Sequence, residues 1–516
     1  MKLQAKMLGI ESGGAYIVLL NKQDADDLGI TSSDRAMLKK GAKSVVCLVD
    51  TTQKILKPGT VGIYYEVEIA LGLKRGSLVD IKPAGEPESI SFIRQKIDGI
   101  PLDKRGMLSI VKDTVERHLS NIELTAFVSA LNFRGMNPEE IYALSESMAY
   151  GGQNLKLGRK VVCDKHSLGG VPGDKTTIVV VPIVAAAGFT IPKTSSRAIT
   201  SAAGTADRVE CLCPVSLELE EIRRVVRKTN GCMVWGGSVN LAPADDLFIR
   251  VEYPLSMDPL LLPSVMSKKK AVGATHVVVD LPTGRGTKLK TIGDAHKLAK
   301  DFILLGSKLG IKTKCAITYG EQPIGHAIGP ALEAREALET VCNLNGARDL
   351  VEKSAHLAGM LFEMNGVKNG KEKALEILRS GKAEKKLREI IGAQGGNPRI
   401  KPSDIPVGDE MAEVRSGYAG HVFWVSNHDI VRIARAAGSP KDKGAGIVLK
   451  KKVLDTVRKG EAVMEIYAEK THKLDAALEL AQTLDMVGVF KTSEQRMLMD
   501  KVPSWHEHKK SFLIER

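Results

Sequence analysis

Two stretches of this chain carry residue types suited to gripping phosphoryl groups. In the first, an apolar strand Val161-Val162-Cys163 runs into Asp164-Lys165-His166-Ser167-Leu168 and a turn with Gly169, Gly170 and Gly173. Asp174-Lys175-Thr176-Thr177 then opens an apolar, helix-like run. Glycines let the backbone approach an anion so that successive N–H groups point at it. Lys165 adds a formal charge, and Ser167 and Thr177 add hydroxyl donors. No Gly-Lys-Ser/Thr closes a Walker loop, and the glycines are wrongly spaced for a dinucleotide fingerprint. The competing reading is a tight strand-to-helix turn with an incidental lysine. The second stretch, Ile191–Asp207, mixes Thr194, Ser195, Ser196, Thr200, Ser201 and Thr205 with Lys193, Arg197 and small residues. Such a segment can wrap a phosphate or sugar closely. A polar surface loop is the alternative, against which its Ala, Ile and Gly content speaks.

Weaker signals follow. Gly236–Asp245 leads to Tyr253–Pro259, which carries Asp258, and Ser264 and Lys268 lie just beyond it. Leu281–Lys288 is a glycine-bearing loop after an apolar strand. Alone, Asp258 serves equally as a helix cap and Lys288 as a surface lysine. Cys211 and Cys213, one residue apart, have the wrong spacing for a zinc knuckle.

The elements that must position these groups divide the chain. Residues 1–85 alternate in Ala15–Leu20, Ser44–Val49 and Gly62–Ile69 and predict a small β-barrel-like domain used for assembly. Residues 86–155 predict a helical domain, with helices over Glu88–Ile97, Lys104–His118, Glu123–Leu131 and Pro138–Met148, which later helical segments can join. Asn137-Pro138-Glu139-Glu140 is a helix start. Residues 156–410 predict a central mixed or parallel α/β domain. Its strand candidates are Val161–Cys163, Ile178–Pro182, Leu247–Tyr253, Thr275–Asp280 and Lys312–Thr318, with helices at Pro263–Ala271 and Asp294–Leu309 between them. Residues 411–516 form a C-terminal α+β lobe, so the fold class is multidomain α/β.

With 516 residues, 43% apolar and 26% charged, the chain falls in the ordinary globular range. The net charge of +13 is spread diffusely, and the basic runs are short, as at Lys268–Lys270 and Lys450–Lys452. That pattern suits steering of anionic small molecules better than a nucleic-acid groove, which would interleave a basic stripe with aromatics. Met1–Leu8 lacks a basic segment followed by an apolar run, and no segment reaches the roughly 18–20 apolar residues of a membrane span. A cytoplasmic chain with reduced thiols, no nucleic acid and no membrane is expected.

At DKHSLGGVPGDKTT, IPKTSSRAITSAAGTADRVE and NLAPADD the chain resembles the thymidine/pyrimidine nucleoside phosphorylase superfamily, most closely its archaeal AMP phosphorylase branch. The superfamily signature KHSxGGVxGD is matched from Lys165 to Asp174, and the resemblance covers essentially the whole chain. It implies phosphorolysis of nucleoside 5′-monophosphates: AMP and phosphate give adenine and ribose 1,5-bisphosphate, with CMP and UMP as further candidates, in nucleotide salvage. It implies phosphate bound by Lys165, Ser167, Thr177, Ser195 and Thr205. Nucleotide contacts would come from Gly170, from Ser196, Arg197, Ala198, Ile199, Thr200 and Ser201, and from Thr205, Ser264 and Lys288. Asp258 would protonate the departing base, and Lys268 falls where the nucleoside enzymes contact it. The resemblance further implies a central domain facing the helical domain across a cleft and a homodimer or larger homo-oligomer. Inorganic phosphate is the co-substrate, with no cofactor and no metal.

Where the nucleoside enzymes have Ser-Gly-Arg-Gly, this chain has Ser195-Ser196-Arg197-Ala198, and their arginine before the Asp segment has no counterpart near Val251–Tyr253. Both changes favour a monophosphate over a free nucleoside. Asp258–Ser264 is two residues shorter than in the AMP branch. A free pyrimidine nucleoside (thymidine) phosphorylase and a basic nucleotide- or RNA-binding scaffold are the alternatives. A phosphoribosyltransferase would need Gly-Thr-Gly-Gly-Asp, which is absent. Two anions ~6–8 Å apart in one cleft repel by about 2–3 kcal/mol at an effective dielectric near 20. Lys165, Arg197 and Lys288 are expected to offset this, and in the substrate complex burial beside the base is expected to raise the pKa of Asp258.

Overall fold

The computed structural model describes residues 1–199, 201–343 and 346–490. A closed six-stranded barrel comes first: β1 (Lys2–Met7), β2 (Ile17–Asn21), β3 (Arg35–Lys40), β4 (Lys43–Thr52), β5 (Thr60–Ile63) and β6 (Leu78–Ala84). The order is β1-β5-β2-β4-β3-β6, and β6 returns to β1. Alternation buries Leu3 and Ala5, Val18 and Leu20, Ala36 and Leu38, and Val79 and Ile81. Two short helices, α1 (Lys22–Asp27) and α2 (Tyr65–Leu71), accompany it. Gly62–Ile69, expected as one strand, breaks at Tyr64. Val67 and Leu71 lie one helical turn apart and are both buried, and Gly72 ends the helix at φ +59°.

Four helices follow: α3 (Ser89–Ile97), α4 (Lys104–Val115), α5 (Asn121–Arg134) and α6 (Pro138–Tyr150). Asn137 caps α6, and Glu140 completes the box by accepting from the Asn137 N–H at 3.0 Å. The same carboxylate pairs with Lys96 of α3 at 2.6 Å and accepts from Leu102 N at 3.0 Å, and both side chains are buried.

The central sheet is parallel. β7 (Cys163–Ser167), β10 (His276–Thr283) and β11 (Lys312–Tyr319) form one part, and β8 (Ile191–Ser195) and β9 (Gly231–Trp235) the other. A parallel bridge between Val162 and Thr190 joins them, giving β9-β8-β7-β10-β11. The connecting helices are α7 (Thr176–Ala186), α8 (Thr205–Glu210), α9 (Leu219–Thr229), α10 (Pro243–Leu255), α11 (Leu261–Val272) and α12 (Ile292–Lys308). Beyond β11 lie α13 (Pro330–Asn343), α14 (Arg348–Met364), α15 (Gly370–Arg379) and α16 (Lys382–Ala393).

Two expected strands are helices. Ile178–Pro182 belongs to α7, which is apolar on every side and buried along its length, so no periodicity marks it. Leu247–Tyr253 lies in α10, which starts at Pro243. Ala244, Phe248 and Val251 recur at helical spacing and, with Leu260, enter the core of α3–α6 rather than that of the sheet. Cys211 closes α8 and Cys213 lies in the turn beyond it.

The C-terminal lobe holds β13 (Glu410–Arg415), β14 (Gly420–Val425), β15 (Gly446–Leu449), β16 (Thr456–Val457), β17 (Ala462–Ala468) and β18 (Val487–Phe490). The helices α17 (Asn427–Ala436) and α18 (Thr471–Thr483) lie among them. One edge of its four-stranded sheet is β12 (Ala327–Ile328), supplied by the chain just before α13. Among the described residues no helix is long and apolar enough to cross a membrane.

Removing one member of a buried ion pair leaves the other charged and unpaired. Glu140→Ala, which also deletes the α6 cap contact, is expected to destabilise the helical bundle by about 3–5 kcal/mol. Denaturant unfolding of the full chain measures it.

Candidate active site

The strand order reverses at β7. The chain runs from β7 outward through β8 to β9, then crosses back to β10 and outward to β11. A crevice opens at the carboxyl ends of the strands beside such a switch point. The end of β7 is Lys165-His166-Ser167. Alternation sends Lys165 and Ser167 to one face and Asp164 and His166 to the other.

On the first face, Lys165 is buried and its Nζ donates to Thr176 Oγ1 at 2.6 Å, with Asp174 Oδ2 3.9 Å away. Burial lowers the Lys165 pKa, opposed by Asp174 and Asp280 and reinforced by Lys353 and Arg208. Burial would raise the pKa of Asp174, but Lys165 and Lys353 hold it far below the carboxylate range. Ser167 donates to Asp280 Oδ2 at 2.8 Å, and Thr318 to Asp280 Oδ1 at 2.6 Å. Thr177 is buried in the first turn of α7, where Lys175 provides no side-chain cap and Asp174 Oδ1 accepts from Thr176 N at 3.3 Å, so that the other first-turn N–H groups remain for an anion. Lys175 turns away. Its Nζ pairs with Glu336 at 2.5 Å and donates to the Ile324 and Ala327 carbonyls, both at 2.9 Å.

The hydroxyl-rich stretch lies against this turn. Arg208, buried in α8, donates to the Asp174 carbonyl at 2.6 Å and the Ala203 carbonyl at 2.8 Å, reaches Thr205 Oγ1 at 3.4 Å and pairs with Glu333 at 2.5 Å. Asp207 Oδ2 accepts from Ala198 N and Gly204 N, both at 2.8 Å, and so cinches the loop between them. A Cβ on Gly204 would come within 2.4 Å of Ala198 N, so only glycine fits. Ser195, at the end of β8, donates to the Val234 carbonyl at 3.3 Å. Ser196 is exposed, and its carbonyl accepts from Ala206 N at 3.2 Å. Ser201 donates to the Ala203 carbonyl at 3.2 Å, and α17 reaches over with Arg435 donating to the Ile199 and Ser201 carbonyls. Thr200 lies outside the described residues.

Two expectations need correction. Arg197 does not offer a free charge to the cleft. Its guanidinium is engaged by Glu210 at 2.7 and 2.8 Å and by Asp207 at 3.2 Å, and it stacks over Trp235 at 5.0 Å. Asp258 is not buried. It sits on the loop between α10 and α11 with its side chain 48% exposed, paired with Lys288 at 2.7 Å. Lys288 comes from the loop after β10, and Gly170 packs on the same loop. At φ +87°, a Gly170 Cβ would lie 3.1 Å from Lys288 N. The structure thus brings Gly170, Lys288 and Asp258 together. Ser264 is half-buried on α11, and Lys268, also on α11, pairs with buried Asp245.

On the second face of β7, buried Asp164 pairs with Lys269 at 2.7 Å and Lys193 at 3.6 Å. Burial lowers the Lys193 pKa to about 7 despite Asp164. His166 lies beside these lysines. Burial, then Lys269, Lys193, Lys165 and Lys268, push its pKa well below 6.5, so its imidazole is neutral at pH 7.

Sequence reasoning missed Asp280, Thr318, Lys353 and Arg208. A signal existed for two of them. Asp280 interrupts an entirely buried strand, His276–Thr283. Lys353 lies one turn from Leu350 and Leu357, on the buried face of α14.

Glu252 in α10 anchors the Asp258 loop by accepting from Leu260 N at 3.1 Å. Burial, with Asp258 and Asp245, raises its pKa from 4.5 to about 7, against the Leu260 N–H and Lys288. The unfolded chain ionises this group more easily. Its stabilising contribution is therefore complete below pH 4.5 and is lost as pH rises through about 7. Glu252→Gln keeps the acceptor, so the variant should melt above the wild type beyond pH 7 and with it below pH 4.5. Thermal unfolding across that window reads the difference.

Comparison with known proteins gives the same architecture. Residues 90–150 match the helical bundle domain of the glycosyl transferase family, residues 159–384 its a/b domain, and residues 422–484 the pyrimidine nucleoside phosphorylase C-terminal domain. A solved structure, anthranilate phosphoribosyltransferase from Thermus thermophilus, superposes with a TM-score of 0.50 at 18% identity. It covers 59% of this chain and 99% of its own, a likeness of fold alone. The AMP phosphorylase of Thermofilum pendens is 48% identical over the whole of both chains. That of Pyrococcus furiosus is 48% identical over 95% of this chain and 98% of its own, and that of Methanosarcina barkeri 44% over 98% and 99%. At that identity across its full length, the chain belongs to the AMP phosphorylase family.

Proposed function

We propose that this protein cleaves the glycosidic bond of AMP with inorganic phosphate, giving adenine and ribose 1,5-bisphosphate. The observation that carries this is the convergence of the Lys165–Thr177 turn and the Thr194–Thr205 stretch, held together through Arg208. Two phosphoryl groups around one ribose need such a double grip.

One phosphate oxygen forms the new bond to C1′ as the bond from C1′ to the base nitrogen breaks, its electron pair leaving with the base. Lys165, Ser167 and Thr177, with first-turn N–H groups of α7, hold the attacking phosphate. Ser195 and Thr205 bound it from the side of β8 and α8. Gly170 lets the backbone approach the nucleotide, and Ser196, Arg197, Ala198, Ile199, Ser201, Ser264 and Lys288 line its path. Asp258 delivers the proton to the leaving base. Its pairing with Lys288 calls for that salt bridge to exchange when nucleotide enters, since one carboxylate cannot both hold the ammonium and protonate the base. Lys268 contacts the base, and CMP and UMP are further candidate substrates. The chemistry calls for no metal, since fixed cations and helix N-termini meet the phosphate charge.

Adenine released from AMP only when phosphate is present is the expected result. Release from nucleosides but not AMP, or no turnover, would refute the proposal. Asp258→Asn should lower kcat by about 10²–10⁴-fold, the usual contribution of a positioned general acid. Lys165→Ala should raise the KM for phosphate more than that for AMP. Both follow from initial rates with each substrate varied in turn.

A further inference from the structure

Lys353 enters the crevice from α14, remote in sequence from every motif described above. Its side chain is 9% exposed, and its Nζ lies 2.8 Å from Asp280 Oδ2. Asp280 meets at most one of its N–H groups, and no other acceptor reaches the buried Nζ. An ammonium carries three donors, and leaving them unmet inside a protein is costly. The oxygen that faces Lys353 also accepts from Ser167, on the face of β7 shared with Lys165. Asp280 is itself satisfied, by Ser167 and Thr318. Burial would lower the Lys353 pKa, but Asp280 and Asp174 outweigh it and keep the ammonium charged. Asp174 is likewise held in its charged form by Lys165, Lys353 and Arg208.

We infer that Lys353 is a further contact of the phosphate co-substrate, its unmet N–H groups donating to phosphate oxygens while Asp280 fixes the ammonium beside Ser167. The inference rests on the proposed phosphorolysis for the identity of the anion. Lys353 stays paired with Asp280 and bridges it to the phosphate, so no carboxylate has to move. The dianion gains a second fixed cation besides Lys165.

The alternative is that Lys353 only neutralises Asp280. Calorimetric titration with inorganic phosphate, which needs no turnover, separates the two on the full chain. Lys353→Met should weaken phosphate binding about tenfold or more, the scale of a lost hydrogen bond to a charged group, with AMP binding changed less than about threefold. Equal losses for both ligands, or unchanged phosphate affinity, would overturn the inference. Should Lys353→Met fail to fold because Asp280 is left unpaired, Asp280→Asn is compared with the double variant Asp280→Asn/Lys353→Met. Ser167 is perturbed alike in both, so the cycle isolates Lys353. A further tenfold loss in the double variant supports phosphate contact, and identical affinities refute it. Wild-type protein that binds phosphate through Lys353 yet does not release adenine from AMP would refute the proposed function and leave this contact standing.

Discussion

A guanidinium organises the crevice. Arg208 directs its donors to the carbonyls of Asp174 and Ala203 and its charge to Glu333 of α13. It thereby ties three pieces of chain that no strand pairing joins: the turn before α7, the loop before α8 and the start of α13. A planar, forked donor suits this, since several carbonyls can be held in fixed directions at once. A lysine would supply the charge without the geometry. The turn before α7 and the loop before α8 keep their mutual position because this side chain is buried and bonded to both.

The crevice around it is a balance between charge and burial. Asp164, Asp174 and Asp280 are all buried, and each faces cations: Lys193 and Lys269, Lys165 and Arg208, and Lys353. Breaking such pairs is far more damaging than making them is stabilising. Their value lies in holding cations at fixed points before any substrate arrives, so that little reorganisation is needed on binding. The two faces of β7 divide the labour. Lys165 and Ser167 serve the side of α7 and α14, while Asp164 and His166 look to α11.

Much of this was legible in the primary structure, for a physical reason. Residues 165–177 and 194–205 are contiguous and mix glycines, hydroxyls and cations at spacings that bulk core packing does not require. Two of the barrel strands, at Ala15–Leu20 and Ser44–Val49, and the capped helix at Asn137 were plain from alternation and cap chemistry, whereas Lys2–Met7, Arg35–Lys40 and Leu78–Ala84 were not singled out. What escaped was set by tertiary context. The apolar run of α7 has no polar face to betray its period, and Leu247–Tyr253 holds enough β-branched and aromatic residues to read as a strand. The roles of Asp280, Thr318 and Lys353 depend on which strand ends lie side by side, which the order β9-β8-β7-β10-β11 decides. The ionic engagement of Arg197 depends on Glu210, one helix away, and the exposure of Asp258 on how its loop leaves α10.

The strand Ala327–Ile328 sits in the sheet of the C-terminal lobe, yet the carbonyl of Ala327 holds Lys175 at the foot of α7. One short piece of chain is thus both hem and hinge-pin. A displacement of that sheet edge would pull on the peptide that steadies the phosphate turn. The lobe's sheet and the phosphate turn thus share one peptide as their common anchor.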